Sequence, residues 1–176
     1  VIKALLPRHS LLTRTEAGTR GWSQPIAANV DLALICTSMN EEFNVNRLDR
    51  YLAVADGAGV PAALLLTKAD LVRDPVPYAR SVSALKPPRK YILCSAASGQ
   101  GLDEVRLLLE GGQTAALLGS SGVGKSTLVN AILGEAKLPT AQVSGFRSKG
   151  RHTTTTRELI PLPGGGFLID TPGMRE

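Results

Sequence analysis

The stretch that decides the fold lies at residues 119–127 and is spelled Gly119-Ser120-Ser121-Gly122-Val123-Gly124-Lys125-Ser126-Thr127. It satisfies the pattern G-x-x-x-x-G-K-[ST], and it stands between an apolar run at 115–118 and a helical pattern at 125–133. Glycines let such a loop turn its N–H groups toward phosphate oxygens, and the following helix adds partial positive charge. The whole stretch, below called the phosphate loop, is predicted to bind a nucleotide. Lys125 would reach the β- and γ-phosphates, and the Ser126 hydroxyl would bind Mg²⁺.

Strands and helices alternate around this loop. Short apolar runs predict buried parallel strands at 30–35, 62–66, 91–94 and 115–118. Apolar residues recur at helical spacing from Leu48 to Ala55 and from Leu102 to Leu109. Two further runs, 158–162 and 166–169, are separated by Pro163-Gly164-Gly165, which predicts a hairpin. The sequence thus predicts an α/β fold of the P-loop class.

A second motif selects the base. Thr67-Lys68-Ala69-Asp70 follows the apolar run 62–66, and carboxyl ends of parallel strands are where such sheets bind ligands. The Asp70 carboxylate can accept both N1–H and N2–H₂ of guanine, which adenine lacks, and the stem of Lys68 can cover the base. The next run leads into Ser95-Ala96-Ala97, which could offer a backbone N–H to guanine O6. Lys68 and Asp70 alone could be a surface ion pair, but together these motifs favour GTP.

Thr67 departs from the usual pattern, because GTPases commonly carry Asn there. Threonine keeps a hydroxyl but loses the amide that bonds guanine N7 and ties this loop to the phosphate loop. One lost hydrogen bond costs about 1 kcal/mol. We therefore expect weaker nucleotide binding with base specificity intact.

Two stretches resemble nucleotide-sensing switches. Asp170-Thr171-Pro172-Gly173 ends the last apolar run, so Asp170 could hold Mg²⁺ through water and the Gly173 N–H could meet the γ-phosphate. Residues 151–157, Arg-His-Thr-Thr-Thr-Thr-Arg, supply hydroxyls for a second Mg²⁺ ligand, Thr155 or Thr156. The threonines could instead form a polar loop or begin a strand.

The residue after Gly173 affects the chemistry. Many GTPases orient the attacking water with a Gln at that position, whereas this chain has Met174, which cannot. Slow intrinsic hydrolysis is expected, and His152 is the local candidate for a substitute. A histidine in such a loop could equally have no catalytic part.

The motifs occur in permuted order, with TKAD and SAAS before GSSGVGKST, RHTTTTR and DTPG, and with LPRHSLL and IAANVD upstream. In this order the chain resembles the ribosome small-subunit-dependent GTPase A family of bacteria. The resemblance implies an amino-terminal OB-fold domain, of which 1–28 would be the end, and a circularly permuted GTPase domain over 29–176. It also implies a zinc-binding domain beyond Glu176, so no zinc ligand is assigned in this chain.

The resemblance implies GTP hydrolysis to GDP, with Mg²⁺, during late maturation of the small ribosomal subunit, stimulated by that subunit. Basic residues that could face its rRNA form two groups: Arg147, Lys149, Arg151 and Arg157, then Lys86, Arg89 and Lys90. Charge that only keeps loops soluble is the alternative for both groups. Other possible functions are a nucleotide-gated RNA-binding module in which hydrolysis only resets the state, and a P-loop ATPase or kinase.

Composition is consistent with these expectations. The net charge of +5 suits an anionic partner, and aromatic residues at 4% are too few for a base-stacking surface. Cys36 and Cys94 lie within apolar runs, which predicts buried thiols in a reducing cytosol. No apolar run approaches the roughly 20 residues of a membrane span, and no signal pattern opens the chain. We expect a cytoplasmic monomer without membrane contact.

Overall fold

The computed structural model describes residues 2–5, 7–15, 23–136, 138 and 157–171, and a six-stranded sheet is its centre. The strands are β1 (Leu11–Thr15), β2 (Ser23–Ala28), β3 (Leu32–Ser38), β4 (Ala62–Thr67), β5 (Lys90–Leu93), β6 (Thr114–Leu118), β7 (Glu158–Pro161) and β8 (Phe167–Asp170). The helices are α1 (Val45–Gly57), α2 (Val76–Ser83), α3 (Leu102–Leu108) and α4 (Lys125–Leu133), with a 3₁₀ turn at Ala69–Leu71.

The strand order in the large sheet is β5-β4-β3-β6-β8-β7. All neighbours are parallel except β7 and β8, which form an antiparallel pair around the predicted Pro163-Gly164-Gly165 break. Parallel neighbours require crossover connections, and the helices supply them. The α/β prediction is confirmed.

The predicted strand positions are confirmed with shifted ends. The largest shift is in β3, which covers Leu32–Ser38 rather than 30–35. Its last residues, Thr37 and Ser38, are polar, yet they pair with Leu66 and Thr67 of β4 and are buried. The prediction from apolar residues therefore ended this strand too early. Polar side chains at the carboxyl end of a strand in such a sheet lie where ligands bind.

Two apolar layers cover the sheet, one on each face. Leu34 and Leu65 point into one layer, with α3 and α4, while Ile35 and Leu64 point into the other, with α1. This alternation along β3 and β4 explains why both strands read as continuous apolar runs. Cys36 and Cys94 are buried free thiols, as predicted, and burial raises the pKa of Cys94 to about 12.

The first segment forms a separate two-stranded antiparallel sheet of β1 and β2. Leu12 and Ile26 from this pair are buried in the same apolar layer as Leu48 of α1. The β character expected for residues 1–28 is therefore observed in its described part, while the OB-fold assignment and the boundary at residue 28 stay predictions.

α2 and the 3₁₀ turn were not predicted. α2 has prolines before and within its first turn and buries only Val82, so it carries almost no apolar periodicity. The described helices include none that is both long and apolar enough to cross a membrane.

Candidate functional site

The predicted motif residues that the structure describes meet at one edge of the sheet. The phosphate loop follows β6, Lys68 and Asp70 follow β4, and Ser95 follows β5, while Asp170 ends β8. These strands are parallel, so all four carboxyl ends lie at the same edge. Ligands bind at this edge in open α/β sheets.

The phosphate loop makes a close turn against the sheet. A Cβ at Gly119, whose φ is +146°, would lie 2.5 Å from the Cys36 carbonyl oxygen, so only glycine fits there. α4 then begins at Lys125 with Gly124 at its N-cap and no side-chain cap. Its first N–H groups can therefore donate to an anion, and the helix dipole favours negative charge there.

Lys125 lies inside this loop, with 6% of its surface exposed. Its Nζ donates to the carbonyl oxygens of Gly119 and Ser120, both at 2.9 Å. Burial lowers the pKa of this amine, and the nearby Asp170 carboxylate opposes that shift. Phosphate oxygens could replace the two carbonyls as better partners for a desolvated cation.

Asp170 is 1% exposed, and its Oδ1 is buried without a hydrogen-bond partner among the described residues. Burial raises the pKa of this carboxyl, with Lys125 opposing and Glu158 reinforcing the shift. An orphaned buried oxygen of this kind suits a hard cation, and Ser126, at the second position of α4, offers a hydroxyl. Ser126 and Asp170 thus fit Mg²⁺ by the chemistry of their donors.

The remaining predicted Mg²⁺ and catalytic residues, His152, Thr155, Thr156 and Gly173, lie outside the described residues, as does Met174. Within the described ranges no cluster of three or more His, Cys, Asp or Glu could hold a metal ion.

Asp70 is held by the next loop along the sheet. The buried Ser95 hydroxyl donates to Asp70 Oδ1 at 2.5 Å and accepts the Ser98 N–H at 3.1 Å. This bond fixes the rotamer of an otherwise exposed carboxylate, leaving Oδ2 and a second lone pair on Oδ1 to meet a base. Lys68, in the left-handed region at φ 62°, turns the chain between β4 and Asp70.

The structure narrows the choice of backbone N–H group that could donate to guanine O6. The Ser95 N–H donates to Gln100 O at 3.0 Å, so it cannot serve guanine O6. The N–H groups of Ala96 and Ala97 make no backbone hydrogen bond with the described part of the chain. The expectation is therefore wrong for the Ser95 N–H and stays open for Ala96 and Ala97.

The expectation that Thr67 loses the tie to the phosphate loop is wrong. The Thr67 Oγ1 lies 2.5 Å from the Val123 carbonyl oxygen and 3.2 Å from the Thr37 carbonyl oxygen. The single hydroxyl proton serves Val123, and Thr67 is 4% exposed. The hydroxyl of Thr67 thus links this loop to the phosphate loop, because the two loops approach closely here. The weaker nucleotide binding expected from the missing amide stays a prediction.

A Thr67→Val substitution tests this link. Valine keeps the shape but leaves the buried Val123 carbonyl without its donor, which costs about 1–3 kcal/mol. We expect a loss of that size in the free energy of unfolding by urea, together with faster GDP release. Ser81→Ala removes an exposed hydroxyl from α2 and should change stability by less than about 0.5 kcal/mol. An unchanged Thr67→Val protein would show that the link contributes nothing.

The substitution Asp170→Asn should raise the free energy of unfolding, whereas Thr67→Val should lower it. Because burial raises the pKa of this carboxyl, its ionisation opposes folding; the favourable protonated form is lost as pH rises through the folded-state pKa. We expect the Asn variant to unfold at higher urea than wild type at pH 7 in EDTA, and to gain less stability than wild type from Mg²⁺ with GTP. A variant less stable than wild type in EDTA would contradict this assignment of the charge.

Sequence reasoning missed Arg47. Its guanidinium Nη1 donates to the Ser120 hydroxyl at 3.1 Å, across 73 residues of chain. No motif contains this residue, and its only signal in the sequence is a cation next to the helical pattern that begins at Leu48.

Comparison with known proteins places the chain in a family. The profile of the RsgA GTPase family matches residues 5–176. The chain belongs to this family. It is 50% identical over 175 residues to small ribosomal subunit biogenesis GTPase RsgA 2 of Lactiplantibacillus plantarum, covering 99% of this chain and 49% of that protein. It is 46% identical over 172 residues to the RsgA protein of Methanosarcina acetivorans, covering 98% and 47%. The chain thus spans about half the length of these RsgA relatives.

Solved structures agree on the fold. YjeQ from Thermotoga maritima is 28% identical with a TM-score of 0.69, over 97% of this chain and 54% of that one. YloQ, described as a circularly permuted GTPase, is 20% identical with a TM-score of 0.59, over 99% and 60%. The chain has the circularly permuted GTPase fold of the RsgA family.

Proposed function

We propose that this chain binds GTP and hydrolyses it to GDP and phosphate with Mg²⁺. The observation that carries the proposal is the Ser95–Asp70 hydrogen bond at the sheet edge that also holds Lys125 and Asp170. A carboxylate fixed by a buried hydroxyl suits recognition of guanine, and the phosphate loop suits triphosphate. Relatives named as GTPases support the same reaction.

Hydrolysis here would depend on position and charge rather than on covalent chemistry. Lys125 and the first N–H groups of α4 would hold the β- and γ-phosphates, while Asp70 orients the base. Ser126 and Asp170 would hold Mg²⁺, joined by Thr155 or Thr156, and a bound ion would supply positive charge to the phosphates. The Gly173 N–H would contact the γ-phosphate. Since Met174 cannot position water, His152 is the proposed substitute, and intrinsic turnover is slow.

The partner we propose is the small ribosomal subunit with its rRNA, at a late stage of maturation. Relatives named small ribosomal subunit biogenesis GTPases support this partner. Of the basic residues proposed to face it, Arg89 already donates to both Asp56 carboxylate oxygens, at 2.7 and 2.6 Å. Its neighbours Lys86 and Lys90 are exposed and are the better candidates for contact with rRNA. Arg157 donates to Pro25 O at 3.0 Å. We also propose that the protein acts in the cytoplasm as a monomer, and that a zinc-binding domain lies elsewhere in it.

Nucleotide and partner would be coupled through the switches. The γ-phosphate would order the segment after Asp170 and the threonine stretch together, a two-state element that GTP biases. A nucleotide-gated ribosome-binding module, with hydrolysis only as reset, is the second candidate. This second function uses the same nucleotide contacts as the first. The two differ in whether the small subunit accelerates hydrolysis.

Single-turnover hydrolysis with and without small subunits separates these functions in the intact protein. We expect subunits to raise the rate strongly and to bind more tightly with a non-hydrolysable GTP analogue than with GDP. His152→Ala should lower the stimulated rate with little change in subunit binding. Equal rates with and without subunits would favour the gated module, and equal affinity in both nucleotide states would remove the coupling.

A further inference from the structure

Arg47 occupies an unusual place at the start of α1. Asn44 caps the helix by accepting the Arg47 N–H at 3.1 Å, and the first turn contains no acidic residue. Helix amino ends carry partial positive charge and favour carboxylates, so a cation here opposes the dipole. A favourable contact of the guanidinium elsewhere would offset that cost.

The guanidinium makes such a contact with the phosphate loop. Arg47 Nη1 lies 3.1 Å from Ser120 Oγ and 3.4 Å from Glu42 O, and the Arg47 side chain is half-buried. Ser120 is therefore held twice. Its hydroxyl accepts from Arg47, and its carbonyl accepts from Lys125.

The hydrogen bonds from Lys125 and from Arg47 to Ser120 respond differently to a bound nucleotide. Lys125 would give up the Gly119 and Ser120 carbonyls when it turns to phosphate, which frees the backbone of the first loop residues. The Arg47 contact uses the Ser120 side chain instead, so it does not compete with Lys125 for phosphate. It remains as the external support that limits movement of this part of the loop.

We propose that Arg47 is a positioning residue of the phosphate loop, acting through the Ser120 hydroxyl to preorganise the loop for GTP and GDP alike. The inference rests on the proposed nucleotide binding at this loop. Because Ser120 lies at the start of the loop, the effect falls on binding of both nucleotides and not on the γ-phosphate alone. The contact also links α1 to the phosphate site.

The test is a double-mutant cycle on the release of a fluorescent GDP and on KM and kcat for GTP. A hydrogen bond from a charged donor is worth about 1.5–3 kcal/mol, so Arg47→Ala and Ser120→Ala should each raise KM and speed GDP release by roughly tenfold or more. The double variant should match the single variants, and kcat should change little. Arg47→Lys should restore part of the affinity. The control is Arg80→Ala, which removes an exposed arginine from the last turn of α2.

Three outcomes would overturn the proposal. Additive effects in the double variant would show that Arg47 does not act through Ser120. Weaker GTP binding with unchanged GDP binding would instead indicate direct contact with the γ-phosphate. Equal losses of urea stability and affinity would indicate a purely structural role. Failure of the wild-type chain to bind either nucleotide would refute the proposed function itself, a result distinct from all three.

Discussion

Lys125→Ala should lower the rate of GTP hydrolysis by orders of magnitude. The substitution removes a buried cation that faces two carbonyl oxygens of its own loop and would face the β- and γ-phosphates. Loss of one preorganised charge-stabilising donor costs about 10²–10³ in rate in other enzymes. Single-turnover hydrolysis of radiolabelled GTP, at protein in excess, measures the effect without interference from product release.

Two further variants separate lost chemistry from lost folding. Lys125→Met keeps most of the stem without the charge and should be as inactive as the alanine variant, with the urea midpoint close to that of wild type. Lys3→Ala removes an exposed lysine and should leave the rate unchanged. Near wild-type turnover in either Lys125 variant would refute the assigned phosphate site.

Asp70→Asn should shift preference from GTP to XTP. The Ser95 hydroxyl donates to Oδ1 of Asp70, and an asparagine that keeps this bond leaves its Nδ2 facing the base. Nδ2 can donate to the carbonyl that xanthine carries where guanine has its amine, while Oδ1 can still accept from N1–H. A site built around such bonds discriminates by about 10⁴–10⁵ against a mismatched partner, so the effect should be large.

Competition of GTP and XTP for a fluorescent GDP or XDP measures this shift. Asp49→Asn changes an exposed carboxylate on α1 and should keep the wild-type preference. Adding Ser95→Ala to Asp70→Asn should weaken XTP binding, because the amide is no longer held in one orientation. A variant that still prefers GTP as wild type does would mean that Asp70 does not recognise the base.

The sequence was sufficient for the fold wherever apolar pattern and packing agree. α4 was predicted at its observed bounds, because Leu128, Val129 and Ile132 face the core and glycines end the helix on both sides. β3 was misplaced, because Thr37 and Ser38 are polar yet paired. α2 was missed, because one buried residue leaves no periodicity to detect.

Motif residues of the site were predictable, and their supports were not. Asp70 and Lys125 follow from local patterns, since the chemistry demands those residue types at fixed spacing. The bond from Thr67 to Val123 and the bond from Arg47 to Ser120 join segments 56 and 73 residues apart. Such contacts depend on how loops approach in the folded sheet, which no local pattern encodes.

Displacement of a fluorescent GDP tests most directly whether one edge of this sheet forms a guanine nucleotide site. With Mg²⁺ present, unlabelled GTP and GDP should each displace the probe at low concentration, while ATP should fail even at about a thousandfold higher concentration. ATP that displaces the probe as well as GTP does would show that the site does not select guanine, and a chain that binds no labelled GDP at all would show that it is not a nucleotide site.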